Sequence, residues 1–147
     1  MRNKICIVVA NYYPKISKNL LNGAINVFEK NKISNLKIIY SPGIFEVPVI
    51  ISKNINFFDG FVALGCVIKG KTPHFNLISK ATTNAIMDIS VTYKKPIGNG
   101  IITCLNKKQA LIRSNPKKKN KGGEASRAVL SVLGIDYNES KWASSKS

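Results

Sequence analysis

The middle of the chain reads Gly60-Phe61-Val62-Ala63-Leu64-Gly65-Cys66-Val67-Ile68, a run that contains no charged side chain. Successive side chains of a strand point to opposite faces of a sheet, so a strand built from this run is apolar on both faces. Strands of that kind occur where helices cover both sides of a parallel sheet. The run therefore predicts a fully buried strand of a parallel sheet.

On either side of this run, apolar stretches of strand length alternate with stretches of helical periodicity. Further strands are predicted at residues 4–10, 36–40 and 96–104. Helices are predicted at residues 17–30, 46–55, 73–91, 107–113 and 123–133. We expect Ser17 to cap the first helix and Pro48 to lie in the first turn of the second. Gly98 and Gly100 are expected to mark close backbone approaches.

This alternation predicts an α/β fold of three layers, in which a doubly wound, four-stranded parallel sheet carries helices on both faces. The chain has 147 residues, of which 44% are hydrophobic. That size suits one domain with a proper core, expected over residues 1–147. The polar tail from about residue 136 is expected to be loosely ordered.

The chain carries 23 Lys and Arg against 7 Asp and Glu, a formal net charge of +16 at pH 7. A field of that sign attracts phosphorylated substrates, acidic membrane surfaces or nucleic acid. The basic residues are spread along the chain without a recognised nucleic-acid module, so nucleic acid is not expected as the main partner. A codon composition biased towards Lys, Asn and Ile would account for much of the charge.

The 3 cysteines (Cys6, Cys66 and Cys104) lie in separate apolar runs and form no CxxC pair. We expect buried thiols in a reducing cytoplasm rather than a disulfide framework. The apolar runs are too short to span a bilayer, and the start of the chain lacks the cleavage site of a signal peptide. These features predict a cytoplasmic protein without a membrane segment.

Ligands of doubly wound sheets bind beyond the carboxyl ends of the strands, which directs attention to residues 11–14, 41–46 and 69–74 and to Asn99. Tyr12 and Tyr13 could stack on a flat heterocycle, or could pack as ordinary aromatic residues at a strand end. Glu46 could accept hydrogen bonds from sugar hydroxyls, or could only favour a helix N-terminus. The residues alone leave these alternatives open.

The segment from Lys69 to His74 combines a glycine turn, two lysines, a hydroxyl and a predicted helix N-terminus. Helix amides and cations together make a good phosphate cradle, although the spacing of a Walker loop is absent. His74 is the only histidine of the chain. Because a helix N-terminus disfavours its protonated form, His74 is a candidate either for proton exchange near neutral pH or for a structural role.

Further cations follow the fourth predicted strand. Arg113 could bind two phosphate oxygens or could only offset the dipole of its helix. Residues 117–121 are typical of a solvated loop. A single His without an acidic or Cys cluster predicts no metal site, and the missing G-x-G-x-x-G predicts no dinucleotide. The residues thus indicate a domain that binds a phosphorylated small molecule, with the reaction type left open.

Several segments resemble, in order, those of lumazine synthases. Residues 41–48, Ser-Pro-Gly-Ile-Phe-Glu-Val-Pro, resemble the family's PGxxE[IV]P segment. Residues 64–75, Leu-Gly-Cys-Val-Ile-Lys-Gly-Lys-Thr-Pro-His-Phe, resemble its LGxVIxGxTxHF segment. Residues 96–103, 109–113 and 120–125 continue the resemblance, which extends from about residue 5 to about residue 133. The chain is identified as a member of this family, and a flavodoxin-like fold is implied.

The resemblance implies condensation of 5-amino-6-(D-ribitylamino)uracil with 3,4-dihydroxy-2-butanone 4-phosphate. The product would be 6,7-dimethyl-8-ribityllumazine, formed with release of phosphate and water and without a metal or organic cofactor. This places the chain, as an expectation, among the transferases of riboflavin biosynthesis.

The resemblance also implies roles for individual residues. Tyr12 would stack on the pyrimidine ring. The ribityl chain would be held by Ile44, Phe45 and Glu46. The ring pocket would be lined by Cys66, Val67, Ile68 and Asn99. The substrate phosphate would be bound by Lys71, Thr72 and Arg113. His74 would be the proton donor and acceptor, and the charged residues beside the phosphate would be Lys121 and Glu124.

Three residues depart from the family's pattern. Tyr13 stands where many members have a small polar residue, and Asn99 stands where many have a bulky aromatic one. Lys71 adds a cation beside the phosphate, and we expect it to tighten binding of the phosphorylated substrate.

The resemblance implies a homo-oligomer, either a pentamer or a pentamer-based icosahedral shell, with active sites between adjacent subunits. The stacking and ribityl residues would come from one chain, and Arg113 and His74 from its neighbour. We expect at least a pentamer. A net charge of +16 per chain opposes closure of a shell unless salt or anions screen it. Riboflavin synthase is an implied candidate partner.

Two other functions compete with the enzyme. One is a non-catalytic protein that binds flavin or lumazine, and the presence of Glu46, His74 and Arg113 together argues against it. The other is a nucleic-acid-binding shell that uses the lysines, which would show a steep salt dependence of binding.

Overall fold

A four-stranded parallel sheet forms the centre of the fold. The computed structural model describes residues 3–70 and 73–135. The strands are β1 (Ile5–Ala10), β2 (Leu36–Ser41), β3 (Gly60–Ile68) and β4 (Ile97–Cys104). All neighbouring pairs are parallel, in the order β2-β1-β3-β4. The predicted strands are thus confirmed to within one residue at each end.

Helices connect the strands and follow the last one. Within the described part of the chain they are α1 (Pro14–Lys30), α2 (Val47–Asn54), α3 (His74–Tyr93), α4 (Lys107–Ser114) and α5 (Lys121–Leu133). No helix in these residues combines the length and the apolarity needed to cross a membrane. The predicted tail from about residue 136 lies outside the described residues.

Two apolar clusters cover the two faces of the sheet. On one face, Ile5, Ile7 and Val9 of β1 pack in the cluster that includes α1 and α5. On the other face, Cys6 and Val8 pack in the cluster that includes α2 and α3. Both sets of β1 side chains are buried because β1 lies inside the sheet with a layer of helices on either side. The predicted three-layer α/β fold is confirmed.

The strand order reverses direction between β1 and β3. The chain runs from β1 outward to β2, and then returns past β1 to β3 and β4. In sheets of this kind, the loops that follow the two strands at the reversal point run in opposite directions. They open a crevice at the carboxyl ends of the strands. The loop after β1 and the end of β3 therefore border the expected ligand crevice.

The structure corrects the predicted start of α1. The helix begins at Pro14 with Tyr13 at the N-cap, so the prediction that Ser17 caps it is wrong. Proline is favoured in the first helical turn because its fixed φ suits the helix and its missing N–H has no helical partner there. The Ser17 hydroxyl instead donates a hydrogen bond of 2.9 Å to the carbonyl of Ala10 and joins the helix to the end of β1.

The predicted position of Asn99 at a strand-to-helix turn is also wrong. Asn99 lies inside β4, where it is paired with Ala63 of β3. The strand starts at Ile97 and reaches its carboxyl end only at Cys104. Two glycines flanking Asn99 confirm the predicted close approaches, since a Cβ at Gly98 would overlap the carbonyl oxygen of Ala125 and one at Gly100 would crowd Leu64.

The three cysteines are free and buried, as predicted. Burial raises the pKa of the Cys6 thiol from 9.0 to about 11. Burial, together with the neighbouring Cys104 thiol, raises the pKa of Cys66 to about 12. The folded protein therefore holds these thiols protonated at pH values where the unfolded chain ionises them.

This difference makes stability dependent on alkaline pH. Below pH 9.0, the thiol pKa of the unfolded chain, the thiols are protonated in both states and the free energy of unfolding is unaffected by them. As pH rises from 9.0 towards about 12, the unfolded chain ionises first, so the free energy of unfolding should fall. Urea titrations across this range measure the slope. Cys6→Ala removes one of the groups and should give a shallower slope than the wild type; an unchanged slope would contradict the assignment to Cys6.

Candidate functional site

A cleft of about 410 Å³ opens at the carboxyl ends of β1 and β3, at the reversal of strand order. Four parts of the chain bring predicted residues to it. The loop after β1 contributes Tyr12, and the loop after β2 contributes Ile44, Phe45 and Glu46. The end of β3 contributes Cys66, Val67 and Ile68, and α3 contributes His74. We call this the first cleft.

The loop after β2 is held against the sheet by one apolar side chain. Ile44 is buried, and its Cδ1 occupies the space that a Cβ at Gly65 would fill. The Ser41 hydroxyl donates a 2.6 Å hydrogen bond to the carbonyl of Gly43 and tightens the turn. With Ile44 anchored, the adjacent Phe45 projects outward with 74% of its surface exposed. A ligand in the first cleft can therefore cover the Phe45 ring.

Glu46 occupies the N-cap position of α2, but its side chain forms no capping hydrogen bond. Its backbone is already helical, with φ −87° and ψ −11°, whereas capping side chains usually extend from a β-like backbone. The carboxylate oxygens are thus left for donors inside the cleft. Hydroxyl groups of a polyol are donors of the appropriate kind.

Tyr12 and Tyr13 form a perpendicular pair at the mouth of the first cleft. Their ring centroids are 4.9 Å apart and their planes meet at 85°. Tyr12 is 71% exposed, whereas Tyr13 is partly buried and packs against the apolar cluster beneath α1. An exposed aromatic ring beside a pocket is a surface on which a planar ligand can stack.

His74 is the first residue of α3, and its exposed side chain lines the first cleft of its own chain. Within one chain, His74 thus lies with Tyr12, and Arg113 does not line this cleft; the division of a shared site between neighbouring subunits stays a prediction. The helix N-terminus points to the carboxyl end of the sheet, which is where β1 places Tyr12. Lys71 and Thr72, predicted to bind phosphate, lie outside the described residues.

A second cleft of about 400 Å³ lies beside the edge strand β4. The predicted residues that line it are Asn99, Arg113, Lys121 and Glu124. Among residues 3–70 and 73–135, none that lines the second cleft also lines the first. Within one chain, the predicted site is thus divided into an aromatic and carboxylate part and a cationic part.

Arg113 is bound to the sheet as well as to its helix. Its Nη1 donates a 2.8 Å hydrogen bond to the carbonyl of Thr103 on β4, and its positive charge opposes the larger effect of burial, which raises the pKa of the Cys104 thiol. The Thr103 carbonyl is accessible because β4 is an edge strand. Arg113 therefore does more than offset a helix dipole, since the sheet orients its planar group.

The charges of the second cleft favour an anion. Lys121 Nζ lies 3.2 Å from Glu124 Oε2, so these two charges offset one another. Among residues 3–70 and 73–135, Arg113 has no acidic partner within 4.0 Å. An arginine held by one donor and presenting its others to a cleft suits a phosphate group.

Sequence reasoning left open whether Tyr13 stacks on a ligand or only packs at a strand end, and it assigned no binding role to Ile78 or Thr103. Ile78 lines the first cleft, and its spacing of one helical turn from His74 could have indicated this. Thr103 acts through a backbone carbonyl, for which the sequence has no signal. In the described part of the chain, His, Cys, Asp and Glu do not form groups of three or more that could hold a metal ion.

Fold and clefts together define a flavodoxin-like α/β protein with one cleft at the switch point of its sheet and a separate cationic cleft beside the edge strand. The family model described as 6,7-dimethyl-8-ribityllumazine synthase matches residues 2–136. The chain belongs to this family, and it is an enzyme of the transferase class that acts in riboflavin biosynthesis.

Curated relatives support the same assignment. A 6,7-dimethyl-8-ribityllumazine synthase from Bartonella bacilliformis is 42% identical over 136 residues, covering 89% of this chain and 88% of the relative. The enzyme of that name from Bartonella tribocorum is 41% identical over 140 residues, covering 92% of each. The one from Bartonella henselae is 40% identical over 135 residues, covering 89% and 86%.

Proposed function

We propose that the chain condenses 5-amino-6-(D-ribitylamino)uracil with 3,4-dihydroxy-2-butanone 4-phosphate to form 6,7-dimethyl-8-ribityllumazine, releasing phosphate and water. The observation that carries this proposal is the first cleft, where an exposed aromatic ring, a carboxylate and the single histidine of the chain lie together. A flat pyrimidine with a polyol chain requires those groups: a stacking surface, a hydroxyl acceptor and a proton-transfer group.

In this proposal the pyrimidine ring stacks on Tyr12, and Cys66, Val67 and Ile68 line the ring through their backbone. The ribityl chain lies along the loop after β2, where Ile44 and Phe45 flank it and Glu46 accepts hydrogen bonds from its hydroxyls. Holding two flexible substrates in a reactive orientation lowers the barrier by removing their freedom in advance. Positioning is therefore the main contribution of the first cleft.

His74 is the proposed proton donor and acceptor. The substrate amine attacks the ketone carbon, and proton transfers allow water to leave as an imine forms. Phosphate is then eliminated, and the ring closes with loss of water. Imine formation and ring closure move protons to and from nitrogen and oxygen, and phosphate elimination removes a proton from the carbon beside the imine. A positioned imidazole is suited to such transfers near neutral pH.

The leaving phosphate is proposed to bind at the second cleft through Arg113, with Lys121 and Glu124 beside it and Asn99 bordering the ring. Lys71 and Thr72, which precede α3 in the sequence, are proposed to contribute to the same phosphate. Because the two clefts of one chain share no lining residue, we propose that they combine between adjacent subunits. His74 then belongs with Tyr12 and Glu46, and the neighbour supplies Arg113.

We further propose a homo-oligomer, at least a pentamer, in which such interfaces repeat around a ring. The exposed apolar side chains of α3 support it, since Leu77, Met87 and Val91 are 60–68% exposed in the isolated chain. A cytoplasmic location fits three free buried thiols. Riboflavin synthase is the proposed protein partner, because it would use the product.

The test is to mix purified protein with both substrates and to follow lumazine fluorescence and phosphate release. We expect product from the wild type, and turnover slowed about 100-fold but not abolished in His74→Ala, because positioning survives the loss of a proton-transfer group. His74→Gln, which retains a hydrogen-bonding side chain, is the matched control and should remain slow.

Absence of product above the uncatalysed background, with both substrates shown to be intact, would sink the proposed activity. Tight binding of lumazine or flavin without turnover would then favour a non-catalytic binding protein. Equal rates for the wild type and His74→Ala would keep the activity but remove His74 from it.

A further inference from the structure

Tyr13 lines the first cleft beside Tyr12, and the proposed reaction leaves it without a role. The two rings meet with centroids 4.9 Å apart and planes at 85°. Perpendicular aromatic pairs of this spacing are favourable contacts, because the positive edge of one ring meets the negative face of the other. Tyr12 is 71% exposed, so this contact is a large part of what restrains its ring.

The two rings differ in how firmly the fold holds them. Tyr13 packs against the buried cluster beneath α1 and forms the N-cap of that helix. Its carbonyl accepts a 2.9 Å hydrogen bond from the amide of Ser17, while the Ser17 hydroxyl donates to the carbonyl of Ala10. Tyr13 is therefore fixed to both the helix and the end of β1.

The main chain before Tyr12 is fixed as well, since the Asn11 amide donates a 3.2 Å hydrogen bond to the carbonyl of Ser41 on β2. With the backbone held on both sides, the orientation of the Tyr12 ring depends on its side-chain torsions. An exposed side chain can adopt any of several staggered conformations about these torsions. A neighbouring ring that favours one of them selects the orientation.

We propose, on the basis of the proposed function, that Tyr13 is a positioning residue that holds the ring of Tyr12 in the orientation that stacks on the pyrimidine. A planar ligand parallel to Tyr12 meets Tyr13 at nearly a right angle, because the two planes differ by 85°. Tyr13 therefore borders the ligand at its edge and does not form a second stacking surface.

The phenol of Tyr13 is not required for this role. Burial, followed by the nearby Cys66 and Tyr12, raises the pKa of Tyr13 above its ordinary value, so the hydroxyl is neutral at physiological pH. The perpendicular contact needs only the ring. Tyr13→Phe should thus preserve ligand binding, whereas variants without a ring should weaken it.

The experiment measures binding of 6,7-dimethyl-8-ribityllumazine by fluorescence titration, which requires no turnover. We expect Tyr13→Phe to bind as the wild type does and Tyr13→Leu to bind about fivefold more weakly, the effect of a typical aromatic pair. Leucine retains the apolar packing beneath α1, so the melting temperature of the Tyr13→Leu protein serves as the control for stability. Tyr13→Ser, which removes that packing as well, should show the same loss of binding.

A double-mutant cycle separates positioning from a general structural effect. In a Tyr12→Ala background, Tyr13→Leu should cause no further loss, because there is no ring to hold. In steady-state kinetics, Tyr13→Leu should raise the KM for the pyrimidine substrate and leave the KM for the phosphorylated one unchanged.

Equal losses from Tyr13→Leu with and without Tyr12 would overturn the inference, as would unchanged binding in Tyr13→Leu while Tyr12→Ala is impaired. A wild-type protein that binds no lumazine would overturn the proposed ring site and the role of Tyr13 with it. The Tyr12→Ala variant distinguishes these failures, because it reports on the ring site alone.

Discussion

Arg113→Ala should lower kcat/KM for the phosphorylated substrate about 100-fold, mainly by raising its KM, the loss typical of one preorganised charged donor. The Thr103 carbonyl orients the guanidinium, which lacks an acidic partner among the described residues. The remaining donors are available to a phosphate. Initial rates over a range of each substrate measure the effect, and the KM for the pyrimidine substrate should change little.

Two further variants serve as controls for this result. Arg113→Lys keeps the charge but loses the planar fork that contacts two oxygens, and should fall between the wild type and alanine. Lys80→Ala removes a cation from α3 that lines neither cleft and should have almost no effect. Equal kinetics for Arg113→Ala and Lys80→Ala would remove Arg113 from the phosphate site.

Mixing of subunits tests whether the two clefts combine between neighbours. Glu46→Ala impairs the first cleft, Arg113→Ala the second, and each homo-oligomer should be nearly inactive. In a ring assembled at random from equal amounts of both, about a quarter of the interfaces pair an intact first cleft with an intact second cleft. Co-expression should therefore restore about a quarter of the wild-type activity. No recovery in verified mixed rings would contradict the shared site.

Gly98→Ala should destabilise the fold by about 3 kcal/mol, the upper part of the usual range for overpacking. A Cβ at this position would overlap the backbone carbonyl of Ala125 in α5, and a backbone atom moves less readily than a side chain. For a chain of this size the melting temperature should fall by about 10 °C. Thermal and urea unfolding measure the change.

Gly70→Ala is the matched control, because a Cβ there has no atom within 4 Å, and its unfolding free energy should change by less than about 0.5 kcal/mol. The Gly98 effect should extend to function, since α5 carries Lys121 and Glu124 of the second cleft. Equal stability of the two variants would show that α5 can shift away from β4 without loss.

Some features of the site could be predicted because they depend on neighbours in sequence. The residues that follow each strand lie at the carboxyl edge of any parallel sheet. Tyr12 and residues 44–46 could therefore be assigned to one region. His74 could be assigned to the same edge because a helix start follows β3. The helix predicted from Ser17 begins three residues earlier, at Pro14, because proline suits the first helical turn.

The sequence by itself determined the α/β class, the parallel sheet and the family, because apolar periodicity and short motifs are properties of consecutive residues. Tertiary structure alone decided the strand order, the separation of His74 from Arg113 and the bond from Arg113 to Thr103. These depend on which distant segments pack together, and that packing is chosen by the whole core rather than by any local pattern.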